Sequence, residues 1–471
     1  MDHTTFDYPT RRVLAAVALA TSALAAPSLA VGQGFGLNEV GSCSVARAGA
    51  GVAAPCEDAS RVYWNPATAV RLPGVHLLVG AAAVAVDGRF TADLSGRIHE
   101  GDVPVEVPPH LFATYQVQSR FNVGLGVYVP YGLTSQWTDD FPGRFSAKKA
   151  SLASIYIQPN FAFDVVPGKF AVGGGPVIGI SDVELVQAVD LAHQMTPAGV
   201  TFGQLGIPAR TEFARAGLKG QSVAWGYDVG VHWQVAPAVA LGARYLSEIN
   251  FEYNGATANF SPVPTGLTLA ADNPLGLPAN TPVDAVVAGQ FAPGGALTTR
   301  GVRTSIAHPA QAQVGIGFTG ISRTTVNVDY AWVGWSSFKE LPVTFLGANP
   351  PPAKVLLEDY ENSWAIRGSL DRVFGNGWIG RVGSSYIKTP APDVSVTPLL
   401  PDMDRYNFAG GVTVPLSKHF AIDGSYLRVE SKGRRGRIVE RTDRSQTAEE
   451  LNSGFYNLTA NVVSLSLKAT F

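Results

Sequence analysis

Fourteen strand-like segments follow one another along this chain, and the connections between them alternate between long and short. Within each segment apolar residues alternate with small or polar ones, which is the period-2 pattern of a β-strand. The predicted strands are 75–87, 108–118, 121–130, 152–166, 169–185, 221–235, 238–254, 308–319, 322–334, 361–373, 377–388, 404–415, 419–430 and 458–471. Tight turns such as 119–120 alternate with long stretches such as 186–220 and 255–307. Short turns at one end and long loops at the other are typical of an outer-membrane barrel.

The last segment shows which side of a strand would face lipid and which would face the lumen. Its apolar side carries Val463, Leu465, Leu467, Ala469 and Phe471, and its polar side carries Ser464, Ser466, Lys468 and Thr470. A strand that crosses a membrane needs ~9–11 residues, with the apolar side toward lipid and the polar side toward the lumen. In that register Asp329, Arg367, Asp371 and Asp423 face inward. We therefore predict an all-β fold, a 14-stranded antiparallel transmembrane β-barrel.

The first thirty residues predict export. Arg11 and Arg12 precede an apolar stretch at 13–26, and small residues allow cleavage after Ala30, so 1–30 reads as a signal peptide. A membrane anchor is the alternative, but Thr21 and Pro27 interrupt the ~20 apolar residues that it needs.

Export places the mature chain beyond the inner membrane, where disulfides can form, and the barrel pattern predicts the outer membrane of a Gram-negative cell. Cys43 and Cys56, the two cysteines of the chain, are predicted to pair, with two free buried thiols as the alternative.

Several function classes find no support in the sequence. The formal net charge of −2 argues against nucleic acid, which requires a basic patch. No CxxC, HExxH, P-loop or GxSxG motif occurs, and none of the eight histidines shows the spacing of a nucleophile and its base. We expect no enzyme activity, cofactor or metal. A barrel lipase, a general porin and a soluble lipid-binding β-protein remain open as function classes at this point.

Two regions depart from a plain porin pattern. Residues 31–73 precede the first strand and are rich in small residues, which predicts a plug folded into the wide lumen, with a disordered tail as the alternative. The loops 186–220 and 255–307 carry many apolar residues, and these predict a surface that binds an apolar substrate. The predicted groove residues are Phe202, Leu205, Ile207, Phe260, Leu267 and Leu269. Alternatively, the loops pack on each other over the mouth.

Several short motifs resemble the FadL family, the long-chain fatty acid transporters of the outer membrane. They are GFGLNE at 34–39, DAS at 58–60, NPA at 65–67, GRF at 143–145, Trp332 with WSSF at 335–338, Tyr386 with TPAPD at 389–393, and LPDMDR at 400–405. The resemblance covers nearly the whole mature chain in order. It implies a fourteen-stranded barrel with a hatch in its lumen, in agreement with the strand count.

The resemblance also implies a route. Substrate is caught between the two large loops, passes to a pocket above the hatch and leaves sideways through a gap at the third strand. Asn65, Pro66 and Ala67 then belong to the hatch, and Asn65 is either a turn residue before proline or a latch. Gly124, Gly126 and Pro130 mark the lateral gate, because glycine weakens a strand and proline gives no N–H to the ladder. Alternatively, Pro130 ends the strand at the rim.

Partners follow from the same resemblance. A fatty acid carboxylate requires a cation once it leaves water, and Arg144, Arg244, Arg367 and Arg381 are the candidates. An aromatic hydrocarbon such as toluene, the substrate of a second branch of the family, requires only apolar lining. The expected partners are a hydrophobic small molecule, outer-membrane lipids and the assembly machinery, which reads a terminal aromatic such as Phe471. A monomer is expected.

Overall fold

The computed structural model describes residues 34–37, 40–93, 95–196, 198–271, 273–347, 350, 352–436 and 454–471. Fourteen long strands form its wall. They are β1 Val75–Ala92, β2 Pro109–Gln118, β3 Phe121–Gln136, β4 Lys149–Val166, β5 Phe170–Asp190, β6 Glu212–Ala236, β7 in two segments (Val239–Leu246 and Ile249–Pro262), β8 in two segments (Arg300–His308 and Gln311–Ile321), β9 Thr324–Val333, β10 Ser363–Val373, β11 Ile379–Ile387, β12 Arg405–Pro415, β13 Phe420–Ser431 and β14 Gly454–Thr470.

Antiparallel pairing closes these strands into a ring. Each strand pairs with its sequence neighbours, and β14 pairs with β1 from His76↔Thr470 to Ala92↔Gly454. Closure leaves no strand edge to be satisfied by lipid. The predicted 14-stranded antiparallel barrel is confirmed.

Strand β6 shows how the two faces of the wall differ. Its outward residues Val223, Trp225, Tyr227 and Trp233 are exposed, with Trp225 at 67%. Asp228 on the same strand points inward and is 0% exposed. A continuous apolar outer surface around a polar interior is the arrangement that lipid requires.

The strands run farther toward the long-loop end than the alternation in the sequence predicted. β5 continues to Asp190, β6 begins at Glu212, and the connections are therefore 191–211 and 263–299, not 186–220 and 255–307. Pairing continues there, for example between Ala214 and Pro262, beyond the stretch in which apolar and polar residues alternate. Short strands at Ile98–Glu100, Glu340–Phe345, Lys354–Leu357 and Arg434–Arg435 extend the same end.

The segment before β1 lies inside the barrel. It forms α1 (Ser42–Ala46), α2 (Arg61–Trp64) and a 3₁₀ helix (Pro66–Arg71). These elements are almost entirely buried and contact the wall strands. We call residues 34–37 and 40–74 the hatch. The predicted signal peptide, 1–30, lies outside the described residues. No helix among the described residues is long and apolar enough to cross a membrane.

Candidate functional site

Charged side chains of the wall hold the backbone of the hatch. Asp329 Oδ2 accepts hydrogen bonds from the backbone N–H groups of Gly51 at 2.5 Å and Val52 at 2.9 Å. Arg367 Nη1 donates to the carbonyl oxygen of Gly49 at 3.1 Å. Asp329 and Arg367 are opposite each other on β9 and β10. Two of the charges predicted to face the lumen, Asp329 and Arg367, therefore bind the hatch backbone.

A buried ionic triad adds a side-chain link between hatch and wall. Arg47 Nη2 of the hatch lies 2.5 Å from Asp371 Oδ2 on β10, and Arg381 Nε on β11 lies 3.0 Å from the same oxygen. All three side chains are nearly inaccessible to solvent. Charge-assisted hydrogen bonds of this kind are short and strong, and they fix the relative positions of their partners.

A disulfide joins Cys43 in α1 to Cys56, which precedes α2, and the two Cα atoms are 6.2 Å apart. Of the two alternatives open in the sequence, paired or free thiols, the structure has the pair. The bond closes a loop between residues 13 apart within the hatch. Such a crosslink restricts the unfolded hatch and favours its compact form.

Glycines line the wall wherever the hatch backbone approaches it. A Cβ at Gly242 of β7 would overlap the carbonyl oxygen of Val52 and lie 2.6 Å from the Cα of Ala53. A Cβ at Gly173 of β5 would lie 2.7 Å from the backbone N of Ala67. Glycine inside a strand often marks such a close backbone approach. The sequence carries this signal as inward-facing glycines within the predicted strands.

Asn65 stabilises a turn of the hatch and also forms a hydrogen bond to the wall. Its Oδ1 accepts from the backbone N of Ala67 at 3.2 Å and so caps the 3₁₀ helix. Its Nδ2 donates to the carbonyl oxygens of Val52 at 2.8 Å and of Val231 on β6 at 3.0 Å. The neighbouring Pro66 accepts a bond from Asn160 on β4 at 3.4 Å. Asn65 is therefore a turn residue whose side chain also contacts the wall, and its role as a latch stays a prediction.

Strand β3 is irregular at Val129 and Pro130. Its register with β4 shifts between Tyr128 and Tyr131, and its pairing with β2 stops at Val127. The strand nevertheless continues to Gln136, so Pro130 does not end it. Proline is tolerated at such a point because bulges lack one ladder bond.

Residues 34–37 of the hatch pair with β3 beyond the point at which its pairing with β2 stops. The backbone N of Leu37 donates to the oxygen of Pro130 at 2.8 Å, and the N of Gly132 donates to the oxygen of Phe35 at 2.8 Å. These two bonds form a bridge between Gly36 and Tyr131. The start of the hatch therefore substitutes for a wall strand at this point.

Gly124 and Gly126, predicted to mark a lateral gate, lie in a regularly paired part of β3 next to the hatch. Both are paired in register with β2 and β4. A Cβ at Gly124 would lie 2.8 Å from Val62 of the hatch. Their lack of a side chain leaves room for α2. The irregular part of the strand lies farther along, at Pro130.

An aromatic cluster fills the lumen between the hatch and the long loops. No local sequence pattern marks it, because its members come from six separate parts of the chain. It contains Phe35, Tyr131, Tyr156, Phe251, His308, Trp335 and Phe338. His308 lies at its centre, with ring centroids 4.4 Å from Phe251 and 4.7 Å from Tyr131. The hydroxyl of Tyr156 is 2.9 Å from His308 Nδ1. The cluster offers an apolar surface with a few neutral polar groups.

The two large external loops pack on each other. Phe202, Leu205, Ile207 and Leu269 are buried in one shared core, and Leu267 is packed against it. Phe260 lies on β7, not in a loop, and contacts Phe345 at a ring distance of 6.4 Å. The six residues predicted to line a groove thus contact one another or the wall in this closed arrangement.

Phe202→Ala is expected to loosen this loop core without unfolding the barrel. Truncating a buried phenylalanine to alanine costs about 3–5 kcal/mol. Phe202 is buried in the loop core, so the loss should fall on the packing of the loops. Limited proteolysis should then cut 191–211 and 263–299 much faster, while the melting temperature of the barrel stays unchanged. Met195→Ala, at an exposed position in the same loop, is the matched control. Equal cleavage of both variants would contradict the shared core.

All four candidate arginines already have partners. Arg144 Nε lies 3.1 Å from Glu212, and Arg244 Nη2 lies 2.8 Å from the buried Asp228. Arg381 is in the triad with Asp371, and Arg367 holds the hatch as described above. The structure does not bring the four together around one site.

Internal space beside these groups is small. A cavity of about 20 Å³ adjoins Arg244 and Arg367, and a mostly apolar cavity of about 50 Å³ lies beside β3. The second is lined by Gly34, Leu133, Trp137 and their neighbours. A water molecule needs about 10–15 Å³ of such space, so these cavities have room for only a few waters. The structure is a closed form.

A transmembrane barrel with an internal hatch tied to its wall, together with an irregular third strand, defines the class of plugged outer-membrane barrels. The chain belongs to the family described as outer membrane protein transport protein (OMPP1/FadL/TodX), whose sequence profile matches residues 22–471. The protein is therefore a β-barrel of the outer membrane.

Individual relatives agree with this assignment. The 47 kDa outer membrane protein of Pasteurella multocida is 25% identical over 419 residues, covering 88% of this chain and 92% of the relative. The long-chain fatty acid transport protein of Escherichia coli is 24% identical over 433 residues, with the same coverage of the two chains.

Solved structures share the fold. A FadL homologue of Pseudomonas aeruginosa superposes with a TM-score of 0.75 at 21% identity, over 93% of this chain and 100% of that one. The toluene transporter TodX of Pseudomonas putida superposes with a TM-score of 0.66 at 16% identity, with the same coverage. Both likenesses concern architecture, since the sequences have diverged widely.

Proposed function

We propose that this barrel carries hydrophobic small molecules, with long-chain fatty acids as the first candidate, across the outer membrane without an energy source. Apolar substrate enters between the external loops and passes along the aromatic cluster. It leaves sideways through the wall at β3. Relatives named as a long-chain fatty acid transport protein and a toluene transporter support this class of cargo.

One observation supports the proposal above all. Near Pro130, β3 pairs with residues 34–37 of the hatch instead of with a neighbouring wall strand. Two backbone hydrogen bonds, from Leu37 and Gly132, join the hatch to the side of β3 that β2 leaves unpaired, and a third, from Asp102 to Gln136, closes the end of the strand. Such bonds contribute about 0.5–1.5 kcal/mol each. Moving residues 34–37 therefore breaks fewer backbone hydrogen bonds than separating two wall strands. An opening here would lead from the lumen into the apolar part of the membrane.

Aromatic hydrocarbons are the second candidate cargo, and one observation favours them. The four arginines considered for a carboxylate are engaged with Glu212, Asp228, Asp371 and the hatch. The lumen beyond the hatch offers ring faces and neutral polar groups instead. A ligand without charge needs nothing more.

A crosslink across the bridge tests lateral release. Residues 36 and 131 are a non-hydrogen-bonded antiparallel pair, for which Cα atoms lie ~4.5 Å apart, within the range for a disulfide. We expect the variant Gly36→Cys with Tyr131→Cys to lose most uptake of labelled oleate or toluene when oxidised and to regain it on reduction. Cells producing the wild type or either single variant, treated with the same reductant, serve as controls.

The outcomes separate the alternatives. Full uptake by the oxidised double variant would contradict release at β3. If the wild type itself gives no uptake of either compound but conducts ions freely in planar bilayers, the barrel is a general porin. Hydrolysis of ester substrates by the purified protein would instead support a barrel lipase.

A further inference from the structure

A cavity of about 510 Å³ lies beneath the hatch, at the short-turn end of the barrel. Its roof is hatch, including Pro55 and Thr68, and its sides are wall strands and the turns that contain Gly168 and Arg323. Short turns face the periplasm in barrels of this kind. We call this cavity the periplasmic vestibule; it is separate from the proposed substrate path above the hatch.

Positive side chains dominate its lining. Six cations line it, namely Arg47, Arg61, Arg71, Arg323, Arg381 and Lys468, against the two carboxylates Glu57 and Asp371. Asp371 pairs with Arg47 and Arg381, while Asp164 and Asp423 pair with Arg71 and Lys468 from behind the surface. Within the described part of the chain, Arg61 and Arg323 are the lining cations without a carboxylate oxygen within 4 Å.

Arg61 is the unusual member of this set. Its side chain is only 9% exposed, and its guanidinium donates to the carbonyl oxygens of Cys56 at 2.8 Å and Thr68 at 3.1 Å. A guanidinium has five N–H donors, so these two bonds leave others for a ligand. Burying a charge without a counter-ion is costly. Asp58, the nearby hatch carboxylate, is directed to Ser60 instead.

Two more residues that line the vestibule, Arg71 and His232, each have an unsatisfied nitrogen. Arg71 Nη2 and His232 Nδ1 are buried and have no hydrogen-bond partner among the described residues. Buried polar nitrogens are nearly always satisfied. These two atoms, together with an Arg61 that has no carboxylate within 4 Å, favour a ligand with acceptor oxygens.

We infer that the periplasmic vestibule is a binding site for a small oxyanion, a carboxylate or a phosphate, held by Arg61 and Arg71 of the hatch and by His232 and Arg323 of the wall. Guanidinium groups bind these planar or tetrahedral oxyanions through paired N–H donors. Because the ligand would bridge hatch and wall, its binding stabilises the closed hatch by mass action. The site goes beyond the proposed transport and does not depend on it.

Calorimetric titration of the purified detergent-solubilised protein tests the inference. Sodium phosphate and octanoate are the probes, at constant ionic strength. We expect saturable binding of at least one probe, and a loss of about tenfold or more in affinity for Arg61→Gln and for Arg323→Gln, as removal of a charge-assisted hydrogen bond gives. Phosphate binding points to an inorganic source, and octanoate binding alone points to a fatty acid carboxylate.

The control is Arg89→Gln, which removes the same charge from an exposed position at the far end of β1. It should leave the affinity unchanged. Arg323 is an exposed turn residue, so its variant remains informative if Arg61→Gln does not fold. Absence of binding to the wild type, or equal affinity of Arg323→Gln and Arg89→Gln, would overturn the site.

Discussion

Gly242→Val should dislodge the hatch and turn the closed barrel into an ion-conducting pore. The new side chain would start where the carbonyl oxygen of Val52 now lies, with the Cα of Ala53 only 2.6 Å away. Backbone atoms cannot swing aside as a flexible side chain does, and overpacking of this kind costs about 1–3 kcal/mol or more. The wall strand is held by β6 and β8, so the hatch must move. Planar-bilayer recordings should show a large, stable conductance that the wild type lacks.

Gly424→Val on β13 is the matched control, because a Cβ there meets nothing within 4 Å. It introduces the same side chain into a wall strand without touching the hatch. The two variants should share the heat-modifiable gel mobility of a folded barrel and differ in conductance. If Gly242→Val stayed as silent as the control, the hatch would not be the element that closes this lumen.

Asp371→Ala should strongly destabilise the interior of the barrel. It leaves Arg47 and Arg381 buried side by side without their shared counter-ion. Breaking a buried pair by removing one partner costs about 3–5 kcal/mol, because the remaining charge stays buried. Denaturant unfolding in detergent micelles should report that loss.

Asp87→Ala, which removes an exposed partner of Arg89, is the comparison for this measurement. Surface ion pairs contribute about 0–1 kcal/mol, so its effect should be several-fold smaller. Asp371→Asn, which keeps the size and one acceptor, should fall between the two. Equal effects of the three variants would mean that the triad does not hold the hatch.

The strand order was predictable because lipid imposes it on the sequence. Each strand must present apolar residues at every second position, and even the inward charges Asp329, Arg367, Asp371 and Asp423 could be placed by counting. Strand ends were less predictable, since beyond the membrane the outward face no longer has to be apolar. β3 and β5 therefore run on past the pattern, to Gln136 and Asp190.

Single residues of the candidate site could be predicted from the sequence, but the contacts between distant segments mostly could not. Pro130 marks an irregularity because proline gives no N–H, a local property that sequence shows directly. That residues 34–37 take the place of a strand there depends on a contact between distant segments. The pairing of Arg244 with Asp228 could have been deduced, because the predicted tight turn between β6 and β7 brings residues 16 apart next to each other. The aromatic cluster could not, since its members meet only when the barrel closes.

The disulfide in the hatch has a consequence for how this protein is made. Cys43 and Cys56 are each 1% exposed, behind a wall that is continuous once β14 has joined β1. A thiol oxidase acts by direct contact between sulfur atoms, and it cannot reach through a finished barrel. We therefore expect an enzyme of this kind to form the disulfide while the chain is still open in the periplasm. The oxidising capacity of the periplasm thus determines how many chains form the disulfide before the barrel closes. A chain that closes first keeps two free thiols inside the barrel.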